Sequence, residues 1–428
     1  MDQLTKKIVL RSLRKARKGS LAMFCPGQTS MVFGKSDDQP PITLEVLDGR
    51  FFTELVSKGG IGLGEAYQKN YWKSDDLTGV LRWFLLNMQH IAPDVSPHLA
   101  RLARFANALF NGFLHFRNRN SIEGSHQNIH VHYDLGNEFY QKFLDPSMTY
   151  SSAYFQNEDT SLEEAQFEKY DRLCHKLRIE PGMNLLEIGC GWGGFAIHAA
   201  SRFGCRVVGT TISKEQYDKA IQQVANAGLT DRIEITMTDY RKLTGKFDRI
   251  ASIEMLEAVG QEYLGTYFKQ VESLLAPGGL AGVQVITCPN PLYEGYRRRV
   301  DWIQKHIFPG SHLPSTRALI EHAETPGSLD LYHMESFGLH YARTLKEWRL
   351  RFLKSWNDIE PMGFDRAFRR KWLYYLAYCE VGFAERHVNV CQLIFGRADE
   401  TAYLYELASP NFQNQSPANW ESVASQEH

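Results

Sequence analysis

An apolar stretch that runs directly into a glycine-rich turn constrains the fold of this chain more than any other feature. Residues 184–195 read N-L-L-E-I-G-C-G-W-G-G-F. Glycines let the backbone approach a bulky ligand, and the N–H groups at the start of the following helix favour the ligand's polar or negative parts. A second apolar stretch follows at residues 207–213. This order of strand, turn, helix and strand predicts a Rossmann-type nucleotide site.

The spacing of the glycines narrows the choice of nucleotide. The turn reads E-x-G-x-G-x-G, with Glu187 in the strand and glycines at Gly189, Gly191 and Gly193. The dinucleotide fingerprint is G-x-G-x-x-G with an acid at the end of the next strand, so this turn argues against NAD. The arrangement resembles class I S-adenosylmethionine (SAM) methyltransferases, in which an acidic strand residue lies beside the methionine end of the cofactor. That resemblance assigns Asp239 to the adenine amino group.

The order of the apolar stretches predicts the fold class. Five of them alternate with helical patterns, at residues 184–188, 207–213, 234–239, 247–253 and 280–286. We expect an α/β fold with a mostly parallel, Rossmann-like class I methyltransferase sheet and the ligand at its carboxyl edge. A chain of 428 residues is too long for one ordinary core. We therefore expect an α+β or helical accessory domain over residues 1–125, the methyltransferase domain over 126–405 and a flexible tail over 406–428.

Composition predicts a cytoplasmic protein that associates peripherally with the membrane. The seven cysteines show no C-x-x-C spacing, which fits a reducing compartment, and no apolar run is long enough to span a membrane. The net charge of −1 hides a basic amino end, rich in Lys and Arg up to Lys18, with apolar residues at Leu4, Ile8 and Leu13. This pattern predicts a short basic amphipathic helix. Its charged face is either solvated or in contact with anionic lipid head groups, and both interpretations stay open.

Further motifs carry a more specific resemblance. They are H-V-H-Y-D-L-G-N at residues 130–137, F-L-D-P-S-M-T-Y-S-S at 143–152, I-G-C-G-W-G-G at 188–194, T-I-S-K-E-Q at 211–216, D-Y-R at 239–241, I-F-P-G at 307–310, L-P-S at 313–315 and Y-Y-L at 374–376. This set resembles the cyclopropane fatty acyl phospholipid synthases and the related mycolic acid cyclopropane synthases. Residues 45–86 also look like the smaller amino-terminal domain of the bacterial phospholipid enzymes.

The resemblance implies a SAM-dependent C-methyltransferase that acts on the cis double bond of unsaturated acyl chains in membrane phospholipids. Methyl transfer, loss of a proton and ring closure would give a cyclopropane fatty acid. The partners implied are acyl chains and the membrane surface, with no nucleic acid, and a homodimer stays open. The family's cofactor residues correspond here to Tyr150, Ser151, Gly189, Gly191, Gly193, Thr211, Gln216, Tyr240 and Arg241.

The resemblance also implies a site for the base that removes the proton. In that family the base is thought to be a bicarbonate held by a cysteine, a glutamate, a histidine, an isoleucine backbone group and a tyrosine. The corresponding positions here are Ser152, Glu257, Gln284, Ile286 and Tyr341. Serine and glutamine replace the cysteine and the histidine; both still donate hydrogen bonds to an anion, but glutamine cannot titrate. Bicarbonate as a second ligand is therefore an open expectation.

Glu254 adds a carboxylate three residues before Glu257, where the phospholipid synthases carry a glycine. It is either a helix-opening acid favoured by the helix dipole or a replacement base. These departures leave an alternative product, because the same alkene methylation can end in a methylene or methyl-branched chain. A second alternative is a non-catalytic homologue that binds lipid or SAM. The intact glycine turn, Glu257 and Tyr341 argue against it.

Three further groups have two interpretations each. Cys379 matches a cysteine once proposed as a nucleophile in the family, but the chemistry needs no covalent cysteine and a buried structural thiol is favoured. His130, His132 and Asp134 look like part of a metal cluster but lack further ligands, so we expect no metal. The arginine run at residues 297–299 either binds phosphate or forms a solvated face.

Overall fold

A computed structural model of the chain describes residues 2–27, 29–35, 40–91, 135–325 and 328–397. Within these ranges the strands form two sheets, one of four strands and one of seven. The residues His130, His132 and Asp134, the predicted tail and the predicted domain boundary at residue 125 lie outside the described residues.

The first 91 residues contain the small sheet and four helices. The elements are α1 (Asp2–Leu13), β1 (Ser20–Phe24), β2 (Met31–Gly34), β3 (Ile42–Val46), α2 (Arg50–Lys58), α3 (Gly60–Gln68), β4 (Trp72–Lys73) and α4 (Leu77–Asn87). The strand order is β2-β1-β3-β4. The buried side chain of Asn87 joins the two ends of this region, because its Oδ1 accepts hydrogen bonds from the backbone N–H groups of Arg17 and Lys18 at 2.8 and 3.0 Å.

The large sheet confirms the expected α/β fold class. Its strands are β5 (Asn184–Ile188), β6 (Arg206–Thr210), β7 (Ile233–Thr236), β8 (Phe247–Ile253), β9 (Leu275–Thr287), β10 (Leu329–Ser336) and β11 (Asn389–Arg397). They lie in the order β10-β11-β9-β8-β5-β6-β7, and the pairs from β9 to β7 are parallel. Only β11 runs antiparallel to its two neighbours, β9 and β10, among the described strands. The carboxyl ends of the parallel strands therefore meet at one edge.

Helices cover both faces of this sheet and the edge above it. They are α5 (Asn137–Gln141), α6 (Leu162–Lys176), α7 (Gly194–Phe203), α8 (Lys214–Asn226), α9 (Leu264–Leu274), α10 (Asn290–Tyr296), α11 (Trp302–His306), α12 (Thr316–Glu324), α13 (Gly338–Lys354), α14 (Trp356–Ile359) and α15 (Arg366–Ala384). A capping box starts α6, in which Ser161 and Glu164 satisfy each other's backbone N–H groups. The arginine run at residues 297–299 lies between α10 and α11.

Two strands end earlier than the sequence pattern predicts, because polar side chains start the next helical turn. The predicted strand 207–213 ends at Thr210, and the Ser213 side chain accepts a hydrogen bond from the Gln216 N–H to cap α8. The predicted strand 234–239 ends at Thr236. The Asp239 side chain caps a short 3₁₀ turn in the same way.

An aromatic core joins the first 91 residues to helix α5, which precedes the large sheet, and to helix α15, which lies between β10 and β11. The ring of Trp372 on α15 packs against Phe139, Phe368 and Tyr375 at centroid distances of 5.0, 5.5 and 5.2 Å. Residues of α1 to α4 belong to the same cluster of buried side chains. The amino-terminal helices are therefore fixed against α15 and lie over the carboxyl edge of the large sheet.

An ion cluster centred on Glu65 reinforces this contact. The Glu65 side chain, on α3, is buried and accepts hydrogen bonds from Lys58 at 2.6 Å and from Lys305 and His306 of α11 at 2.5 and 3.1 Å. Burial opposes ionisation of this carboxyl group, but the hydrogen bonds from the two lysines outweigh burial and lower its pKa to about 2. The carboxylate therefore stays charged at neutral pH and holds α3 to α11.

We expect Glu65→Gln to destabilise the protein most at neutral pH. The low pKa in the folded state makes the Glu65 contribution fully present above the ordinary pKa of 4.5 and progressively lost as the pH falls towards 2. The shift corresponds to about 3 kcal/mol at pH 7, and roughly half of that at pH 3. Urea unfolding of wild type and variant at both pH values measures the difference. Asp218→Asn, in the exposed pair with Lys214, is the control and should cost under about 1 kcal/mol at either pH. An equal loss for Glu65→Gln at both pH values would contradict the charge assignment.

Candidate active site

One cavity of about 1700 Å³ opens at the carboxyl edge of the large sheet. One part of its wall is the glycine turn after β5, with the ends of β6 and β8. Another part is apolar and comes from the amino-terminal helices α1, α2 and α4. Of the predicted site residues, all but Ser152, Gly193 and Gln284 line this cavity directly.

The glycine turn exposes backbone to the cavity. Gly189, Gly191 and Gly193 have φ of +83°, +53° and +88°, values that side chains other than glycine rarely adopt. A Cβ atom added to Gly189 would lie 2.7 Å from the Met255 side chain, whereas one added to Gly191 meets no atom within 4 Å. The space beside Gly191 is therefore open to a ligand. The helix α7 begins immediately after this turn, at Gly194.

Glu187 offers an unpaired carboxylate oxygen at the floor of the cavity. Its side chain is buried, and Oε2 has no hydrogen-bond partner among the described residues. Burial raises its pKa to about 8, while the nearby Lys169 and the Ala196 N–H lower it. A cationic ligand placed against Oε2 would restore the charged form. The amino and sulfonium groups of SAM have the required charge, so Glu187 fits the cofactor end expected for it.

The residues that follow β6 and β7 supply the remaining polar part of the cavity wall. The Thr211 hydroxyl donates to Gln216 Oε1 at 2.8 Å, which fixes both side chains. Arg241 binds both oxygens of Asp239, through Nε at 2.8 Å and Nη2 at 2.6 Å. A ligand that donates a hydrogen bond to Asp239 would therefore use the lone pairs that Arg241 does not occupy. Tyr240 also lines the cavity.

Tyr150 and Ser151 approach the cavity from the opposite side. The hydroxyl groups of Tyr150 and Tyr375 are 2.7 Å apart, and the ring of Tyr150 packs on Trp348 at 5.1 Å. Ser151 Oγ accepts a hydrogen bond from Lys169 Nζ at 2.7 Å. Lys169 is fully buried, and burial lowers its pKa to about 7, opposed by Glu254, Asp145 and Glu187. Lys169 was not among the predicted site residues. It stands among the charged residues of α6, where the sequence alone does not distinguish it from a solvent-exposed lysine.

The residues predicted to hold an anion come together around two glutamates. Glu254 Oε1 accepts hydrogen bonds from the Ser152 N–H at 2.9 Å and from Gln284 Nε2 at 2.8 Å, and Oε2 accepts one from Tyr341 Oη at 2.6 Å. The Ile286 N–H donates instead to Glu257 Oε1, at 2.5 Å.

Two expectations for this group differ from the structure. The Ser152 hydroxyl donates to the Ala153 carbonyl at 3.0 Å, so the residue contributes its backbone N–H and not its side chain. Glu254 directly follows β8, and the next 3₁₀ turn begins only at Leu256. It is therefore not an acid in the first turn of a helix, and the dipole interpretation does not apply.

Cys379 lies on α15 and lines the cavity as a half-buried side chain. Its apolar surroundings raise the pKa of its thiol far above the ordinary value. A thiolate is not stabilised there, so the geometry favours a wall residue over a nucleophile.

The family of the chain follows from its match to known proteins. A family model described as mycolic acid cyclopropane synthetase matches residues 120–393. The chain belongs to this family. Membership confirms the expected resemblance and identifies the protein as a SAM-dependent methyltransferase.

Individual members of the family match over most of the chain. Tuberculostearic acid methyltransferase UfaA1 of Mycobacterium tuberculosis is 38% identical over 341 residues, 78% of this chain and 78% of the relative. The cyclopropane-fatty-acyl-phospholipid synthase of Escherichia coli is 37% identical over 366 residues, 84% of this chain and 89% of the relative. The solved structure of mycolic acid cyclopropane synthase CmaA1 with SAH and CTAB matches at a TM-score of 0.60 and 32% identity, over 63% of this chain and 97% of that chain.

The described residues contain no group of three or more His, Cys, Asp or Glu side chains that could hold a metal ion. None of the helices in these ranges has both the length and the apolar character that crossing a bilayer requires.

Proposed function

We propose that this protein transfers a methyl group from SAM to the cis double bond of acyl chains in membrane phospholipids and forms cyclopropane fatty acids. The observation that carries the proposal is a continuous cavity in which the wall expected for the cofactor adjoins an apolar wall. A pocket for one drug-sized ligand has a volume of about 300–1,000 Å³. The observed cavity, of about 1700 Å³, has room for a second, long ligand.

The amino-terminal helices supply the surface that an acyl chain requires. The cavity is lined by Val9 and Leu13 of α1, Val56 of α2, Leu85 of α4 and Met88 directly after α4. Burying such side chains against a hydrocarbon chain gains roughly 0.8 kcal/mol per CH₂ group. The accessory region therefore completes the substrate site, which supports a lipid over a small polar acceptor.

Exposed arginines at the wall of the cavity suit a phosphate group. Arg298 and Arg299 both line the cavity and are exposed, and Arg298 pairs with Glu294 at 3.2 Å. Guanidinium groups bind phosphate oxygens through charge-assisted hydrogen bonds. This placement supports the phosphate interpretation of the arginine run and a phospholipid as the methyl acceptor.

The reacting end of the cavity tolerates a cation. Bound SAM supplies the methyl group on its positive sulfonium. Tyr150 and Tyr341 line the cavity, and an aromatic ring stabilises a cation over its face by roughly 0.5–2 kcal/mol. Glu187 adds a carboxylate. These groups favour both the sulfonium and the carbocation that appears on the acyl chain once the alkene has captured the methyl group.

A second candidate product is a methylene or methyl-branched chain. The 38% identity to a tuberculostearic acid methyltransferase, whose name does not mention a cyclopropane, favours it. A proton must leave the new methyl group for a ring or a methylene group alike. The presence of the base therefore does not decide between these two products.

Incubation of the purified protein with methyl-labelled SAM and phospholipid vesicles tests the proposal. We expect label in lipid from vesicles with cis-unsaturated chains and none from vesicles with saturated chains. Proton NMR of the product distinguishes cyclopropane ring protons from those of a methylene group. Label in free fatty acid but not in intact phospholipid would contradict the phospholipid assignment.

The basic helix α1 gives a separate prediction about the membrane. Val9 and Leu13 are buried beside the cavity, whereas Leu4, predicted on the same apolar face, is 65% exposed. We expect the triple variant Lys7→Gln, Arg14→Gln, Lys18→Gln, which removes one exposed cation from α1 and two from the residues directly after it, to bind anionic vesicles about 100-fold more weakly at low salt. Each exposed cation near the surface contributes about 1 kcal/mol. Sedimentation with vesicles at two salt concentrations measures the effect.

The control for α1 removes the same charge elsewhere. Arg206→Gln, Arg232→Gln, Lys269→Gln changes three exposed cations of the large-sheet region and should leave vesicle binding nearly unchanged. Equal loss in both triple variants would show a general charge effect and return α1 to the solvated interpretation.

A further inference from the structure

Glu254 has a backbone conformation that residues with side chains avoid. Its φ is +50°, in the left-handed region, which costs roughly 1–2 kcal/mol for a residue other than glycine. Its N–H donates to the Gln284 carbonyl at 2.7 Å, which holds the turn in place. The turn directs the carboxylate into the cavity, beside the end of β8. Strain of this kind persists where the surrounding structure requires the side chain in that position.

The Glu254 carboxylate accepts hydrogen bonds from three neutral donors, and one of its lone pairs remains able to accept a proton. Ser152 and Gln284 donate to one oxygen, and Tyr341 donates to the other. Two carboxylate oxygens offer about four lone-pair positions. The oxygen bound by Tyr341 therefore has a position left for a proton taken from a substrate in the cavity.

The orientation of the Gln284 side-chain amide is fixed by a chain of hydrogen bonds that runs through Gln392 to Lys176. Gln392 Nε2 donates to Gln284 Oε1 at 3.0 Å, and Lys176 Nζ donates to Gln392 Oε1 at 2.6 Å. Since the lysine can only donate, both amide groups have one orientation. Gln284 must present its NH₂ group to Glu254, which stabilises the ionised carboxylate and cannot take its proton.

Of the two neighbouring carboxyl groups, Glu254 and Glu257, it is Glu254 whose hydrogen-bond donors favour the negative charge. Glu257 receives one hydrogen bond, from Ile286, and its Oε2 has no partner among the described residues. Burial and repulsion from Glu254 raise the pKa of Glu257 to about 8, so it carries a proton at neutral pH. Burial also raises the pKa of Glu254, but its three donors and the charge of Lys169 oppose this. With three donors against one, Glu254 is therefore the carboxylate that its surroundings stabilise in the ionised form that a base requires.

The geometry points to Glu254 as the general base of the reaction, a carboxylate of the chain itself that acts where a bound anion would otherwise be needed. This inference rests on the proposed function. The alkene electrons form a C–C bond to the methyl group as its bond to sulfur breaks, which leaves a carbocation. Glu254 then removes a proton from the new methyl group. The electrons of that C–H bond close the ring, and the proton remains on the Glu254 carboxyl group.

Two substitutions at position 254 test this role through different physical effects. Glu254→Gln keeps the shape of the side chain and removes the base. Glu254→Gly removes the side chain, leaves the three donors in place and relieves the left-handed strain, so the variant is expected to fold. Loss of a general base costs about 10²–10⁴-fold in turnover. We expect that loss in both variants in buffer free of carbon dioxide, with unchanged SAM affinity in calorimetry.

Chemical rescue separates a base from a packing residue. Sodium formate should restore turnover to Glu254→Gly in a saturable manner, because the small carboxylate fits the space and binds the same donors. It should not restore Glu254→Gln, whose amide still fills that space, and sodium chloride at equal ionic strength should restore neither. Wild-type turnover in either variant without formate, or no rescue of Glu254→Gly, would overturn the assignment. Label transfer to lipid by the wild type tests the proposed function independently of these variants.

Discussion

Gly191→Val is expected to abolish SAM binding. Position 191 has φ of +53°, which a β-branched residue avoids, and its Cβ would point into the open space of the cavity. The two methyl groups of valine would fill the space in which the cofactor contacts the backbone. We expect at least about a 100-fold loss of affinity, equivalent to roughly 2.7 kcal/mol. Isothermal titration calorimetry with SAM measures it.

Gly228→Val provides the matched control for this substitution. Gly228 has φ of +67°, and a Cβ added there also meets no atom within 4 Å, but the residue follows α8 and does not line the cavity. It should lose the same roughly 1–2 kcal/mol of stability to backbone strain and keep its SAM affinity. Unchanged affinity in Gly191→Val would refute the cofactor assignment of the turn. Equal loss in both variants would attribute the effect to strain alone.

Cys379→Trp is expected to stop lipid turnover and leave SAM binding intact. Cys379 lies on α15, faces the cavity and is only half-buried, so a larger side chain extends into the space assigned to the acyl chain. Displacement of the double bond from the methyl donor by about 1 Å can cost 100-fold in rate. We expect at least that loss in labelled-methyl transfer to unsaturated phospholipid.

Cys379→Ala separates the wall role of this residue from a covalent role. Alanine removes the thiol and keeps the cavity open, so we expect turnover within about twofold of wild type for a residue that only contacts substrate. Loss of all turnover in Cys379→Ala would support the nucleophile interpretation instead. Full activity of Cys379→Trp would show that the acyl chain does not pass α15.

The sequence predicted the features of the site that depend on local spacing. The strand before the turn, the glycines after it and the acid at Glu187 are close together in the chain, so their pattern alone indicates a nucleotide site. The resemblance placed Ser152, Gln284 and Tyr341 at one anion site, and the structure brings all three to Glu254. Their assignment to catalysis stays a prediction.

Features that depend on contacts between distant segments could not be predicted. Lys169 on α6 and Gln392 on β11 reach the site only because the sheet places both elements beside β9. Hydrophobic periodicity indicates that a helix buries one face, but it does not identify the neighbour. The one available signal was Glu254 at a position where the resemblance expects glycine. A carboxylate added there, together with the lost histidine, indicated a changed anion site.

The aromatic core between the two sheets has a consequence for how the chain folds. Tyr374 of α15 packs against Tyr67 of α3 at 5.8 Å and against Trp302 at 4.7 Å, and Arg370 donates to the Tyr67 carbonyl at 2.6 Å. Separating the amino-terminal region would expose these rings to water and leave buried polar groups without partners. We therefore expect the two sheets to unfold as one cooperative unit, and the apolar wall of the cavity to form only as folding of that unit is completed.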